Sequence, residues 1–334
     1  MVVLYLAKVG ARVQIPAPAY RVVKMSVPSN RILKRPGNRK NFHIHTIFSD
    51  GKLSPRQIIL WAKRKGRKHI SITDHDNFRA WADTEGVVKK RTYGGQTLRE
   101  LARTPHQGKV KRLRVTTGAE FNCAHNGTKI EILGYHFNEL GKGMLALQEK
   151  TMGAAEQRAM ERIQFLRRKG FVINPQKIDP FNYAWLDAEL SRAENKTLLE
   201  KLAPDKNNPL LSLRSFLFQG TNSPYAKEAQ EAFIDAHNVI DTVRRNGGIA
   251  VLAHPLQYFR HLDSAPIEQE KKVEELVQSL KKIGLRGMEV EYSIRADGSY
   301  YTKEQMKLLR RVARRNRLKI FGGTDYHHSP RDTI

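Results

Sequence analysis

Three stretches decide how this chain is read: Phe42-His43-Ile44-His45, Thr73-Asp74-His75-Asp76 and Thr324-Asp325-Tyr326-His327. Each sits where a short apolar strand runs out. In an extended segment alternate side chains share a face, so His43 and His45 aim at one point, and so do Asp325 and His327. The next residue, His328, points the other way and reads as a bystander. Histidines and acids gathered at strand ends across nearly the whole chain predict a multi-metal site on an α/β scaffold.

Working outward, Asp50 follows His45 in a Ser49-Asp50-Gly51 turn that folds a carboxylate back toward the same mouth. His75 lies between Asp74 and Asp76, and a carboxylate beside a ligating histidine usually orients it. Glu120 ends the strand Val115–Glu120, where a bridging carboxylate would be well placed; alone it would read as a surface acid. His254, before Pro255, closes the strand Gly248–Ala253. Nitrogen and oxygen donors without thiolates suit Zn, Mn or Fe and do not choose among them.

The surroundings alternate between strands and helices. Strands are expected at Phe42–His45, His69–Thr73, Arg114–Phe121, Lys129–Phe137, Gly248–Ala253, Gly287–Glu291 and Leu318–Phe321. The third and fourth join through Asn126-Gly127, a hairpin turn. Helices are expected at Pro55–Lys65, Met144–Lys169, Ala232–Arg245, Val273–Ile283 and Lys303–Asn316. Repeated β–α units imply a parallel sheet or barrel with its site at the carboxyl ends of the strands. Residues 145–230 look mainly helical and read as an inserted domain. That divides the α/β body into 42–144 and 231–334.

The chain has 334 residues, with 59 Lys and Arg against 33 Asp and Glu, a formal charge of +26. Such a surplus favours polyanionic partners, RNA, DNA or phosphorylated metabolites, although it also fits a generally basic protein. Residues 1–41 are basic, acid-free and broken by Pro16, Pro18, Pro28 and Pro36, as in a disordered arm. The arm could touch nucleic acid, or be an extension ahead of a start at Met25. Residues 86–114 read as irregular and very basic. The single cysteine, Cys123, precludes an internal disulfide or a thiolate zinc cluster and suits a reducing cytoplasm. Lys8 and Arg12 argue against a signal peptide, and no apolar run reaches membrane-spanning length.

These motifs, in this order, resemble the polymerase and histidinol phosphatase (PHP) family and within it the TrpH-like phosphoesterases. The matching runs include His43-Ile44-His45-Thr46, Thr73-Asp74-His75-Asp76, Gly118-Ala119-Glu120, Ile132-Leu133-Gly134-Tyr135, Ala253-His254-Pro255, Gly287-Met288-Glu289-Val290 and Gly323-Thr324-Asp325-Tyr326-His327. The resemblance implies a distorted seven-stranded β/α barrel with an inserted helical cap, holding two to three divalent ions. By position, His43, His45, Glu120 and Asp325 would hold the first. Glu120 would bridge to a second with His254, and Asp50, His75 and His327 would hold the third. Where the family usually has a histidine before the Ile-Leu-Gly-Tyr run, this chain has Glu131, expected as a weak ligand or a vacancy in preference to His136. The basic 86–114 segment is longer than the family's usual connection, and little chain follows His328, so a closing element could be missing.

In related phosphoesterases the insert supplies arginines for substrate phosphate, which singles out Arg158, Arg162 and Arg192; solvated helix charge is the plainer reading of all three. The implied activity is hydrolysis of nucleotide phosphate monoesters, nucleoside 3′,5′-bisphosphates or short RNA 5′ ends, by metal-activated hydroxide. Asp74, His75 and His254 are the expected catalytic groups, with Asp74 or Asp76 steering His75. Two alternatives stand beside this: a non-catalytic nucleic-acid-binding module on a decayed scaffold, and a histidinol-phosphate-type phosphatase.

Overall fold

The computed structural model describes residues 40–83, 88–104, 113–176, 178–181, 184–218, 224–225, 232–263, 265–292 and 301–327. Its frame is a sheet of seven strands laid side by side in chain order: β1 Lys40–Asn41, β2 His69–Ile72, β3 Arg114–His125, β4 Thr128–Tyr135, β5 Ile249–Leu252, β6 Gly287–Tyr292 and β7 Lys319–Gly323. The ring closes where the chain following β1 meets β7. There Phe42 N donates to Gly322 O at 3.1 Å and His45 N to Tyr326 O at 2.9 Å. A two-residue strand, Ile234–Asp235, pairs with β3 outside this order. The result is the distorted, nearly closed seven-stranded barrel that the sequence leads one to expect.

The sheet is mixed, because β4 runs antiparallel to both β3 and β5. The turn chemistry at the end of β3 forces this reversal. Asn126 and Gly127 both adopt positive φ, 48° and 74°, as the two central residues of a tight type I′ hairpin require. Every other strand runs parallel to its neighbours. Six of the seven strands therefore deliver their carboxyl ends to one mouth.

Helices wrap the outside: α1 Pro55–Arg64, α2 Leu98–Arg103, α3 Lys142–Arg168, α4 Ala184–Leu190, α5 Lys196–Leu202, α6 Pro209–Phe218, α7 Ala236–Arg245, α8 Pro266–Lys282 and α9 Lys303–Arg315. Their starts follow from local chemistry. Ser54 with Gln57 and Thr302 with Gln305 form capping boxes on α1 and α9, each satisfying backbone donors that a helix start leaves unpaired. Asp235 caps α7 by accepting from His237 N at 2.7 Å.

Alternation along the strands sorts two apolar layers. Ile130, Ile132, Ala119 and Phe121 join the main core with the inner faces of α1 and α7–α9. Leu133, Tyr135, Val251 and Ala253 form a separate small cluster with Phe42 and Phe321. The rings of Tyr135 and Phe321 stack at 5.0 Å, and Tyr135 donates to Phe42 O at 2.7 Å. Since Glu131, Leu133 and Tyr135 share a face of β4, this second layer plugs the barrel beneath the mouth. A third cluster, built from the end of α3 and from α4–α6, includes Phe165, Leu166, Leu190 and Leu213.

Several sequence expectations change. The segment Phe42–His45 is not a regular strand. Pairing is regular only at Lys40–Asn41, and Ile44 alone bridges to Tyr326, while Ile44 O accepts from Thr73 N at 2.8 Å. Residues 86–114 are not irregular throughout: they contain α2 and two short pairings, Ala82–Asp83 with Lys89–Lys90 and Thr92–Tyr93 with Gln96–Thr97. Buried Leu98 and Ala102 anchor this stretch to the main core. The α7 helix begins at Ala236 rather than Ala232, because Asp235 caps it there. Phe233 instead lies under Arg158, 4.9 Å from its guanidinium carbon. The arm's residues 1–39, the basic residues Lys109, Lys111 and Arg112, and His328 lie outside the described residues.

Candidate metal centre

Glu120 is the hub. It is wholly buried on the inner face of β3. Its Oε2 lies 3.0 Å from His43 Nε2, 3.3 Å from His45 Nε2 and 3.2 Å from His75 Nδ1. Its Oε1 lies 3.1 Å from His254 Nε2. One carboxylate thus faces four imidazoles from three separate strand ends, with its two oxygens directed to different partners.

Three overlapping donor sets surround it. His43, His45, Glu120 and Asp325 offer atoms all within 4.8 Å of one another. Asp325 Oδ1 is 3.1 Å from His45 Nε2 and 3.4 Å from His43 Nε2. Donors around a tetrahedral ion with bonds of about 2.1 Å sit about 3.4 Å apart, so these spacings suit such an ion. Asp50, His75 and His327 form a second set, which the structure extends with His45. His327 Nε2 lies 3.1 Å from Asp50 Oδ2, and the rings of His45 and His327 stack at 4.2 Å. The third set is His75, Glu120 and Glu131, with His254 Nε2 3.1 Å from Glu131 Oε2. His136 follows β4 on the exposed side.

Burial and charge oppose each other here. Burial pushes the His43 imidazole down, but Glu120, Glu289 and Asp325 outweigh it and hold the ring well above its ordinary value. His254 is likewise raised well, against burial, by Glu131 and Glu120. Burial pushes Glu120 up, yet His43, His75 and His254 hold it well below the usual carboxylate range. Asp50 is lowered in the same way, against burial, by His327 and His75. His75 Nδ1 and Asp50 Oδ1 are buried without a hydrogen bond. Orphaned donor atoms inside a dense His–carboxylate cluster fit divalent ions, which would satisfy both. Asp325 and Asp76 adopt φ of 48° and 54°, a left-handed conformation uncommon outside glycine and typical of chain ends bent toward a site.

The expected positioning of His75 by Asp74 or Asp76 does not hold. Asp74 accepts from Thr46 N at 2.6 Å and from the Thr46 and Ser49 hydroxyls. It fixes the turn that carries Asp50. Asp76 accepts from Asn122 N and Nδ2 and from Arg158. Arg158 is itself 5% exposed and also donates to Ala232 O at 3.0 Å. Its fork clamps α3 onto the His75–Asp76 loop. Arg162 lies over the Phe218 and Tyr225 rings. Arg192 faces Glu189 and Glu194, at 3.7 and 3.1 Å.

Two supports escape a sequence reading. Glu289, 1% exposed on β6, lies 3.3 Å from His43 Nδ1 and accepts from His254 N at 3.0 Å. It fixes the orientation of one imidazole and the backbone of another, as outer carboxylates do at metal sites. Its only signal was an acid amid the apolar run Gly287-Met288-Glu289-Val290. Asn41 donates to Thr324 Oγ1 at 2.7 Å and accepts from Thr324 N at 3.0 Å, tying the start of the barrel to its end just below His43 and Asp325.

Comparison with known proteins agrees with this geometry. The chain is 28% identical over 287 residues to a 5′-3′ exoribonuclease of Haemophilus influenzae, spanning 86% of this chain and 89% of that protein. It is 24% identical to a phosphoribosyl 1,2-cyclic phosphate 1,2-diphosphodiesterase of Eggerthella lenta, spanning 86% and 94%. Among solved structures, an amidohydrolase of Chromobacterium violaceum superposes with a TM-score of 0.63 at 16% identity, over 88% of this chain and 89% of that one. A candidate metal-dependent phosphoesterase of Bifidobacterium adolescentis gives 0.58 at 20%, over 87% and 89%. The sequence pattern of the PHP domain matches residues 41–294, which encloses all of the clustered donors except Asp325 and His327. The chain belongs to the PHP domain family and is a metal-dependent phosphoesterase of that fold.

Proposed function

We propose that this chain hydrolyses nucleotide phosphate monoesters, nucleoside 3′,5′-bisphosphates or the 5′ phosphates of short RNAs, as a TrpH-like member of its family. The observation that carries the reading is Glu120 with four imidazoles at 3.0–3.3 Å. His43, His45, Glu120 and Asp325 would hold one divalent ion, Glu120, Glu131 and His254 a second, and Asp50, His75 and His327 a third. When bound, such ions, Mn, Zn or Fe, supply positive charge for phosphoryl oxygens and acidify water to a nucleophile.

The chain's own residues do the rest. Glu120 orients ligands from three strand ends, Glu289 holds the His43 ring, and Asp74 holds the turn bearing Asp50. Arg162 and Arg192 are the remaining candidates for binding substrate phosphate, since arginine's planar fork suits phosphate oxygens. The nucleotide preference is supported by the excess of cations and by the exoribonuclease likeness. A reducing cytoplasm is the compartment that a single buried thiol, Cys123, suits. No described helix is long and apolar enough to cross a membrane.

Hydrolysis of adenosine 3′,5′-bisphosphate, a 5′-phosphorylated RNA 5-mer, histidinol phosphate and a five-membered cyclic phosphate, with added Mn and products separated by chromatography, tests the reading. Turnover of the first two is expected to dominate. Preference for either of the last two overturns the nucleotide assignment, and no turnover of any, with no metal retained, overturns catalysis.

A further inference from the structure

The amino ends of the parallel strands carry a second chemical surface. Five of the six parallel strands are entered through an exposed cation: Lys40 at β1, Lys68 before β2, Arg114 at β3, Arg286 before β6, and Arg317 and Lys319 at β7. Only β5, entered through Gly247-Gly248, lacks one. These residues are neighbours in space. Lys40 pairs in register with His69, and His69 with Arg114. Arg114 N donates to Lys68 O at 2.9 Å, and Lys319 N to Arg286 O at 2.9 Å. The junction of β7 with the chain after β1 completes the ring.

The arrangement of these cations around one ring, and their effect on their neighbours, bear on what the rim can bind. Several exposed basic groups elsewhere face acids: Arg311 and Arg315 face Glu270, Arg310 faces Glu291, and Arg245 faces Asp241. On the rim, among the described residues, none of the six cations makes an ion pair. The field they create is felt by both histidines beside them. His69 is pushed down to about 4 by burial and then by Arg114, His136 and Lys40. His136 is lowered by burial, then by Lys319 and Arg114.

We propose that this rim is a sequence-independent docking surface for the phosphate backbone of a single-stranded nucleic acid. Uncompensated like charges repel one another, and a polyanion relieves that repulsion while releasing its own counterions. A phosphate strand matches cations spread around a ring better than a single small anion does. The aromatic plug of Phe42, Tyr135 and Phe321 separates the rim from the metal mouth. Seven residues of β3, from Arg114 to Glu120, put the two surfaces roughly 20 Å apart. The rim therefore binds independently of the metal centre and of the reaction proposed for it.

The test is fluorescence anisotropy with a hydrolysis-resistant 20-nucleotide 2′-O-methyl RNA across a KCl series, on the full chain with its metals. The triple variant K40A/R114A/K319A removes three exposed rim cations. It is expected to bind about tenfold more weakly at 0.1 M salt and to lower the slope of log affinity against log salt by about 2. Release of phosphate from a mononucleotide should stay unchanged, which separates this result from any failure of the catalytic reading. The control variant R168A/R245A/K272A removes three cations that face Glu161, Asp241 and Glu275 and should bind like the parent. Equal weakening in both variants would reduce the effect to net charge and overturn the proposal. So would unchanged binding in the rim variant, or rim-dependent binding of phosphatidylserine vesicles or polyglutamate without binding of RNA.

Discussion

The two ends of the barrel use histidine in opposite ways. At the carboxyl ends of the strands, His43 and His254 are surrounded by Glu120, Glu131, Glu289 and Asp325, which raise them against the pull of burial. At the amino ends, His69 and His136 sit among Lys40, Arg114 and Lys319, which add to burial and lower them. The residue type is the same and the fold is the same; only the sign of the neighbours differs. One end is built to gather cations and the other to repel them, and the aromatic plug keeps the two fields apart.

The largest effect expected on this contrast comes from Glu120→Gln. Removing the shared carboxylate deletes several kcal/mol of charge complementarity at the mouth, so kcat should fall about a thousandfold with metal content lowered, read by phosphate release and elemental analysis. Near-normal turnover with full metal loading would break the hub assignment.

Arg158→Ala tests whether the clamp beside the mouth is scaffold. It leaves Asp76 as an uncompensated buried carboxylate, which typically costs about 3–5 kcal/mol, measured by urea unfolding. A normal unfolding midpoint with a raised KM would restore Arg158 to phosphate binding. Next in size, Glu289→Gln should weaken metal affinity about 10–100-fold, seen in competition with a chelating dye, because His43 loses its orienting carboxylate. Unchanged affinity would show that the outer carboxylate is dispensable.

The smallest effect belongs to the other end. His69 titrates at about 4 when folded, below its ordinary value. As pH falls from about 6.5 to 4, the unfolded chain gains a proton that the folded chain refuses, so stability declines in that window. Screening at this partly exposed site limits the loss to about 1 kcal/mol. His69→Gln, which can keep a bond to Thr116 Oγ1, now 2.7 Å from the ring, should flatten the change in urea midpoint between pH 7 and pH 5. An unaltered slope would mean that the cationic field at the rim is weak.

How much was legible can be judged residue by residue. Repeated strand–helix alternation with His or Asp at the strand ends made the barrel and the donors readable, and the family motifs ordered them. Glu131 was noticed because it stood where a histidine was expected, and it faces His254 at 3.1 Å. For Arg158, spacing on a helix shows which residues share a face but not that this face meets Asp76. For Asp74, adjacency to His75 in sequence says nothing about Thr46 and Ser49, 25 to 28 residues away. Glu289 and Asn41 act across 246 and 283 residues of chain, so no local pattern announces them.

The sequence alone determined the donor chemistry, the strand alternation and the surplus of positive charge, because these depend on residue type and short-range periodicity. Only the tertiary structure decided which carboxylate serves four histidines, which arginine is locked away, and which cations face no acid. Those outcomes depend on distances between segments far apart in the chain, and closure of the ring sets those distances.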